Sequence, residues 1–162
     1  MLQCLHKNRR KGVFPMLLLG TSQQKLDDKN RIRLPAKFRE QMGDQYVLTQ
    51  FAGGCIAVYS LAEGSKLIDQ IVSCESLSPE SAEIVRQFTA TSAMVDGDSQ
   101  GRFMLPDNLV QFANITKDVV VVGSISKAEI WSLERWQERH SKVDNSVAGF
   151  NETLKKLNEL LS

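Results

Sequence analysis

Two aspartates and two arginines stand at matched spacings in this chain, Asp27 before Arg31 and Asp98 before Arg102. A carboxylate four residues ahead of a guanidinium, with turn-forming residues between, can hold it by charge-assisted hydrogen bonds while the remaining N–H donors face outward. The product is a cationic fork on a rigid loop, suited to an anion such as a backbone phosphate or to the acceptor edge of a base. With nine Asp and nine Arg in 162 residues, such a pair arises by chance roughly once in two chains of this length, so one copy means little. Two copies mean more, because the phrases around them match. Asp27-Asp28-Lys29-Asn30-Arg31-Ile32-Arg33-Leu34-Pro35 aligns with Asp98-Ser99-Gln100-Gly101-Arg102-Phe103-Met104-Leu105-Pro106, every matched position 71 residues from its partner.

Each phrase implies a turn, a strand and a helix start. Asn30 and Gly101 occupy the slot where a positive φ is tolerated. Arg-Ile-Arg-Leu and Arg-Phe-Met-Leu then alternate or run apolar, as short strands do. Pro35 and Pro106 cannot donate to a ladder but fit the first position of a helix.

The surrounding elements repeat in the same order. Leu17 to Leu26 reads as a strand leading into the first phrase, and Pro35 to Met42 as a helix with Phe38 and Met42 on one face, stopped by Gly43. Lys37 and Arg39 fall off that face, open to solvent or phosphate. Tyr46 to Phe51 and Cys55 to Tyr59 flank Ala52-Gly53-Gly54 as a hairpin. Ser60-Leu61-Ala62-Glu63 is a capping box opening a helix that buries Leu67, Ile68, Ile71 and Val72, with Gly64 weakening its first turn. Ser78-Pro79 caps another helix with the stripe Ile84, Val85, Phe88. The second half follows suit: a helix from Pro106 to Ala113, strands Val119 to Val122 and Glu129 to Trp131 around Gly123-Ser124-Ile125-Ser126, and a helix with Arg135, Trp136 and Arg139. Asp144 to Gly149 reads as a polar linker and Asn151 to Leu161 as an amphipathic packing or partner helix with Leu154, Leu157 and Leu161.

Bulk composition is compatible with a buried core in one domain or two small ones: 42% of residues are apolar. The net charge of +1 decides nothing about partners, but its distribution does. Thr21 to Gly43 holds six basic residues (Lys25, Lys29, Arg31, Arg33, Lys37, Arg39) against three acids, whereas Arg102 stands among Asp96, Asp98 and Asp107. The first copy is therefore the better surface for a polyanion, and the second fork serves subunit contact more than DNA. Cys4, Cys55 and Cys74 are odd in number and form no C-x-x-C pair, so neither a disulfide frame nor a zinc site is indicated, and a reducing cytoplasm fits best. No apolar run is long enough to span a bilayer. Residues 1–15, with Lys7, Arg9, Arg10 and Lys11, read as a disordered basic arm. His6 and His140 sit in no catalytic motif, so an enzyme is not expected.

The doubled phrase resembles the MraZ family of bacterial regulators, relatives of the AbrB and SpoVT swapped-hairpin DNA-binding domains. The stretch Glu129-Ile130-Trp131-Ser132-Leu133-Glu134-Arg135-Trp136 and the opening Met16-Leu17-Leu18-Leu19-Gly20 share in the likeness, which runs from about Met16 to Lys142. The resemblance implies an α+β fold of two tandem AbrB/SpoVT-like β-hairpin halves forming an intrachain pseudo-dimer with flanking helices. On that division, residues 16–93 and 94–143 are the two halves and 144–162 a linker and C-terminal helix. It also implies a transcriptional regulator that closes into a homo-oligomeric ring and binds short direct repeats in double-stranded DNA upstream of the division and cell-wall gene cluster. Such a protein is cytoplasmic and nucleoid-associated, with no cofactor, no metal, no membrane and no small-molecule substrate. The family's DNA-contacting motif falls on Asp27, Lys29 and Arg31 and on Asp98 and Arg102, with Asn30 where the family usually has Gly. The residue pattern adds Arg33 and Lys37, with Arg31 the best placed to bridge a guanine. The competing reading is an oligomeric scaffold that sequesters a protein partner without touching DNA.

Overall fold

A computed structural model describes residues 15–75 and 78–162. The basic residues of the N-terminal arm, with Cys4 and His6, lie outside the described residues.

The recurrence seen in the sequence becomes a matching order of elements. The first half runs β1 (Thr21–Lys25), β2 (Arg31–Arg33), α1 (Ala36–Met42), β3 (Gln45–Phe51), β4 (Cys55–Ser60) and α2 (Leu61–Glu75), followed by α3 (Pro79–Ala90). The second runs β5 (Ala93–Asp96), β6 (Arg102–Met104), α4 (Asp107–Phe112), β7 (Asp118–Ser124), β8 (Lys127–Ser132) and α5 (Leu133–His140), followed by α6 (Val147–Leu161). The chain is α+β, and its halves interleave. A six-stranded antiparallel sheet has the order β1-β7-β8-β4-β3-β5, so each half lends its leading strand to the other half's hairpin. The hairpins meet at β4 and β8 in the centre. A separate two-stranded ribbon joins β2 to β6, one strand from each phrase.

Period-two alternation sends one side of most strands to a common core. Ile32 and Phe103 project from the ribbon, Phe38 and Leu109 from α1 and α4, and Tyr46, Leu48, Ile56, Val121 and Ile130 from the sheet into one buried cluster. Cys55 is also buried, its thiol pushed up to about 12 chiefly by that burial, so it behaves as a small core residue. Gly64 weakens a helix on propensity alone, but a Cβ there would lie 2.5 Å from Val47 Cγ2; its absence lets α2 approach β3.

Several expected boundaries shift for local reasons. The strand expected from Leu17 begins at Thr21, because Gly20 adopts φ +90° and Leu18 instead makes an isolated bridge with Ile125. Pro35 and Pro106 sit one position earlier than expected, as N-caps with ψ 142°, extended rather than helical. The second half of the expected linker at 144–149 is helix, since Ser146 caps α6 by accepting from the Gly149 N–H. Val72 and Ile84 are 55% and 62% exposed, against the buried stripes expected for α2 and α3. Helical period places them on the apolar side, but among the described residues no element covers them.

Candidate nucleic-acid interface

Both Asp-Arg pairs form, and the two turns match bond for bond. In the first, Asp27 Oδ1 accepts the backbone N–H groups of Lys29 and Arg31, each at 2.9 Å, while Oδ2 accepts Arg31 Nε at 2.7 Å. In the second, Asp98 Oδ1 accepts from the Gln100 and Arg102 backbone at 2.9 Å, and Oδ2 accepts Arg102 Nε at 3.0 Å. Asn30 and Gly101 take φ 54° and 72°, as the turn requires. One carboxylate thus fixes both the loop and the side chain that it presents.

Arg31 spends only Nε on its aspartate, and its two Nη groups have no partner among the described residues. Arg102 likewise bonds its aspartate through Nε, with Nη2 2.9 Å from Asp98 Oδ2. Asp27 and Asp98, expected to share in DNA contact, have their acceptors taken up by their own turns. They stand behind the arginines as positioning groups.

Those bonds hold both carboxyls below their ordinary value of 3.8: the Arg31 backbone N–H contributes most at Asp27 and the Arg102 backbone N–H most at Asp98, with burial opposing in each case. Depressed carboxyl values stabilise the folded turn above the ordinary value, and that contribution disappears as pH falls through the lowered one. The amide resonances of Asn30 and Gly101 are therefore expected to stay fixed near neutrality and move together only below pH 3.8. Asp27→Asn should remove the transition from the first turn alone. Turn amides unmoved between roughly pH 5 and 2 would contradict this account.

The ribbon register brings the two phrases together, which the sequence did not disclose. Arg31 pairs with Met104, Ile32 with Phe103 and Arg33 with Arg102. Because Ile32 and Phe103 point into the core, Arg31, Arg33, Arg102 and Met104 share the outward side. Arg102, assigned by its acidic neighbours to subunit contact, thus lies directly across from Arg33 on the same face as Arg31. Nearby acids are engaged elsewhere: Asp96 accepts from Gln45 Nε2 at 2.8 Å, and Asp107 from Asn30 Nδ2 at 3.4 Å. Lys29 is exposed at the tip of the first turn. Lys37 is exposed too, but on α1, with its Nζ 5.4 Å from the Phe38 ring rather than on the ribbon.

Arg39, expected to be open to solvent or phosphate, is half-buried instead. Its Nε donates to the Leu34 carbonyl at 3.2 Å, and its guanidinium lies over the second turn, where a Cβ on Gly101 would come within 2.7 Å of Nη1. The residue 71 positions on is Val110, which is shorter. A side chain at Gly101 would have to displace the end of Arg39, whereas Asn30 reaches Asp107. Met104 is the residue that sequence reasoning passed over. The signal for Met104 was present, since it stands where the first phrase has Arg33.

The family described as MraZ protein matches this chain twice, over residues 17–87 and 88–157. The chain belongs to the MraZ family. The two matches correspond to the two interleaved halves, and relatives align along nearly their whole length. A protein named "Transcriptional regulator MraZ" from Clostridium beijerinckii is 37% identical over 145 residues, 89% of this chain and 99% of its own. One of the same name from Clostridium acetobutylicum is 37% identical over 134 residues, 82% of this chain and 94% of its own. Another from Caldicellulosiruptor saccharolyticus is 33% identical over 141 residues, 87% of this chain and 99% of its own.

Proposed function

We propose that this MraZ chain is a transcriptional regulator that binds double-stranded DNA through the outward face of the β2·β6 ribbon. The observation that carries the reading is the placement of three guanidinium groups, Arg31, Arg33 and Arg102, on one exposed two-stranded ribbon, with two of them fixed by carboxylates. A ribbon of this width fits the B-DNA major groove, where guanine offers two acceptors to an arginine fork. Lys29 and Arg33 supply phosphate contacts, with Lys37 at the margin. The names carried by the relatives agree with this role.

In this reading the protein has no reaction of its own, resides in the cytoplasm with the nucleoid, and regulates the division and cell-wall gene cluster from short direct repeats in its own promoter. No helix among the described residues is long and apolar enough to cross a membrane. Residues 16–93 and 94–143 serve as the two halves, and 144–162 as an appended segment. Protomers close into a ring, so that weak single contacts add through effective concentration on a repeated operator. Exposed apolar side chains support self-association: Phe150, Leu154, Leu157 and Leu161 on α6, with Ile84 on α3 and Met94 on β5.

Gel-shift titration with duplex from upstream of the chain's own gene tests the proposal. Intact repeats should bind, shuffled repeats should not, and log affinity should fall linearly with log salt. Equal binding to both duplexes, or binding indifferent to salt, would overturn it in favour of a protein-binding scaffold.

A further inference from the structure

One residue on the ribbon's outward face has no place in a purely electrostatic grip. Met104 is 59% exposed, although it sits among arginines. It is the direct cross-strand partner of Arg31, and on its own strand it shares a side with Arg102 two residues away. Side chains so paired have Cβ atoms about 5 Å apart, so an object touched by the Arg31 fork lies within reach of the Met104 thioether. In the first phrase the same position holds Arg33, and the pseudo-symmetric ribbon therefore presents three cations and one apolar group.

A phosphate offers a thioether nothing. On the major-groove edges of the four standard bases, the one apolar group is the thymine 5-methyl. Methionine is flexible and polarisable, and fills such a contact without a fixed geometry. Building on the DNA-binding reading, we infer that Met104 is a specificity-determining residue that reads a thymine 5-methyl beside the base held by Arg31.

Deoxyuridine differs from thymidine only by that methyl, which makes the test selective. Each thymine of one operator repeat is replaced in turn by deoxyuridine, and affinity is measured for the full chain and for Met104→Ala. For the unaltered chain, one position should weaken about four-fold, the loss expected when one buried methyl group is removed from contact. Met104→Ala should bind the thymine duplex about four-fold more weakly, lose its sensitivity at that position, and keep the same salt slope because no charge changes. Indifference of the unaltered chain to every replacement would overturn the inference, as would a Met104→Ala protein that still discriminates. A Met104→Ala protein of altered size in light scattering would also overturn it, marking the residue as a subunit contact. Failure of the DNA reading looks different: the unaltered chain would then not prefer intact repeats at all.

Discussion

Arg31→Ala is expected to remove nearly all operator binding while leaving thermal melting within about 2 °C of the parent, as for a surface change that touches no core group. The turn survives the substitution because Asp27 Oδ1 binds backbone N–H groups, including that of residue 31 itself. What disappears is the fork with both Nη groups unengaged. A bidentate contact to guanine is worth roughly 1–3 kcal/mol, or about 5- to 150-fold for a single loop. On an array of repeats the loss compounds, since each weakened contact also lowers the gain from linkage. The salt slope should fall by about one for each loop engaged. Arg31→Lys should restore part of the slope and little of the sequence preference, because an ammonium is a point charge without the planar pair of donors. Arg102→Ala should also weaken binding, since Arg102 lies across from Arg33 on the same outward face. Gel-shift affinity unchanged in Arg31→Ala would remove the ribbon from the interface.

How much of this was legible beforehand follows from the range over which each feature is encoded. The turns could be read because Asp, Asn or Gly, and Arg act within five residues, and their recurrence 71 residues on fixed the equivalence of the halves. The hairpins and capped helices are equally local. The β2·β6 pairing was hidden, since nothing in either phrase names the other as its partner. That pairing is what gathers Arg31, Arg33 and Arg102 on one face. Helix stripes were half legible. Periodicity named the apolar side of α2 and α3 but not what would cover it, and Val72 and Ile84 remain open to solvent in a single protomer. The approach of Arg39, a side chain folded in from the other half, to the Gly101 turn was illegible for the same reason.

The ribbon holds its position only through what lies beneath it, and Phe103→Ala should show how much. Phe103 is 1% exposed, pairs across the ribbon with Ile32, and places its ring 4.8 Å from that of Tyr46 on the sheet. It therefore joins the layer that carries the arginines to the layer that carries the fold. Truncating a buried Phe to Ala costs about 3–5 kcal/mol, the lost transfer energy plus the cavity left behind. Against a total of roughly 5–15 kcal/mol for a domain, that is a large share, and at this chain length it lowers Tm by about 8–16 °C. Ile32→Val, which removes one methyl from the same floor, should cost about 1 kcal/mol. Met104→Ala, on the opposite side of the same strand, should cost within about 0.5 kcal/mol. This ranking separates a ribbon anchored through its inward residues from one held by its turns alone. If Phe103→Ala melted no lower than Met104→Ala, the two Asp-Arg turns would have to be carrying the ribbon, and rigidity of the forks could no longer be attributed to the core.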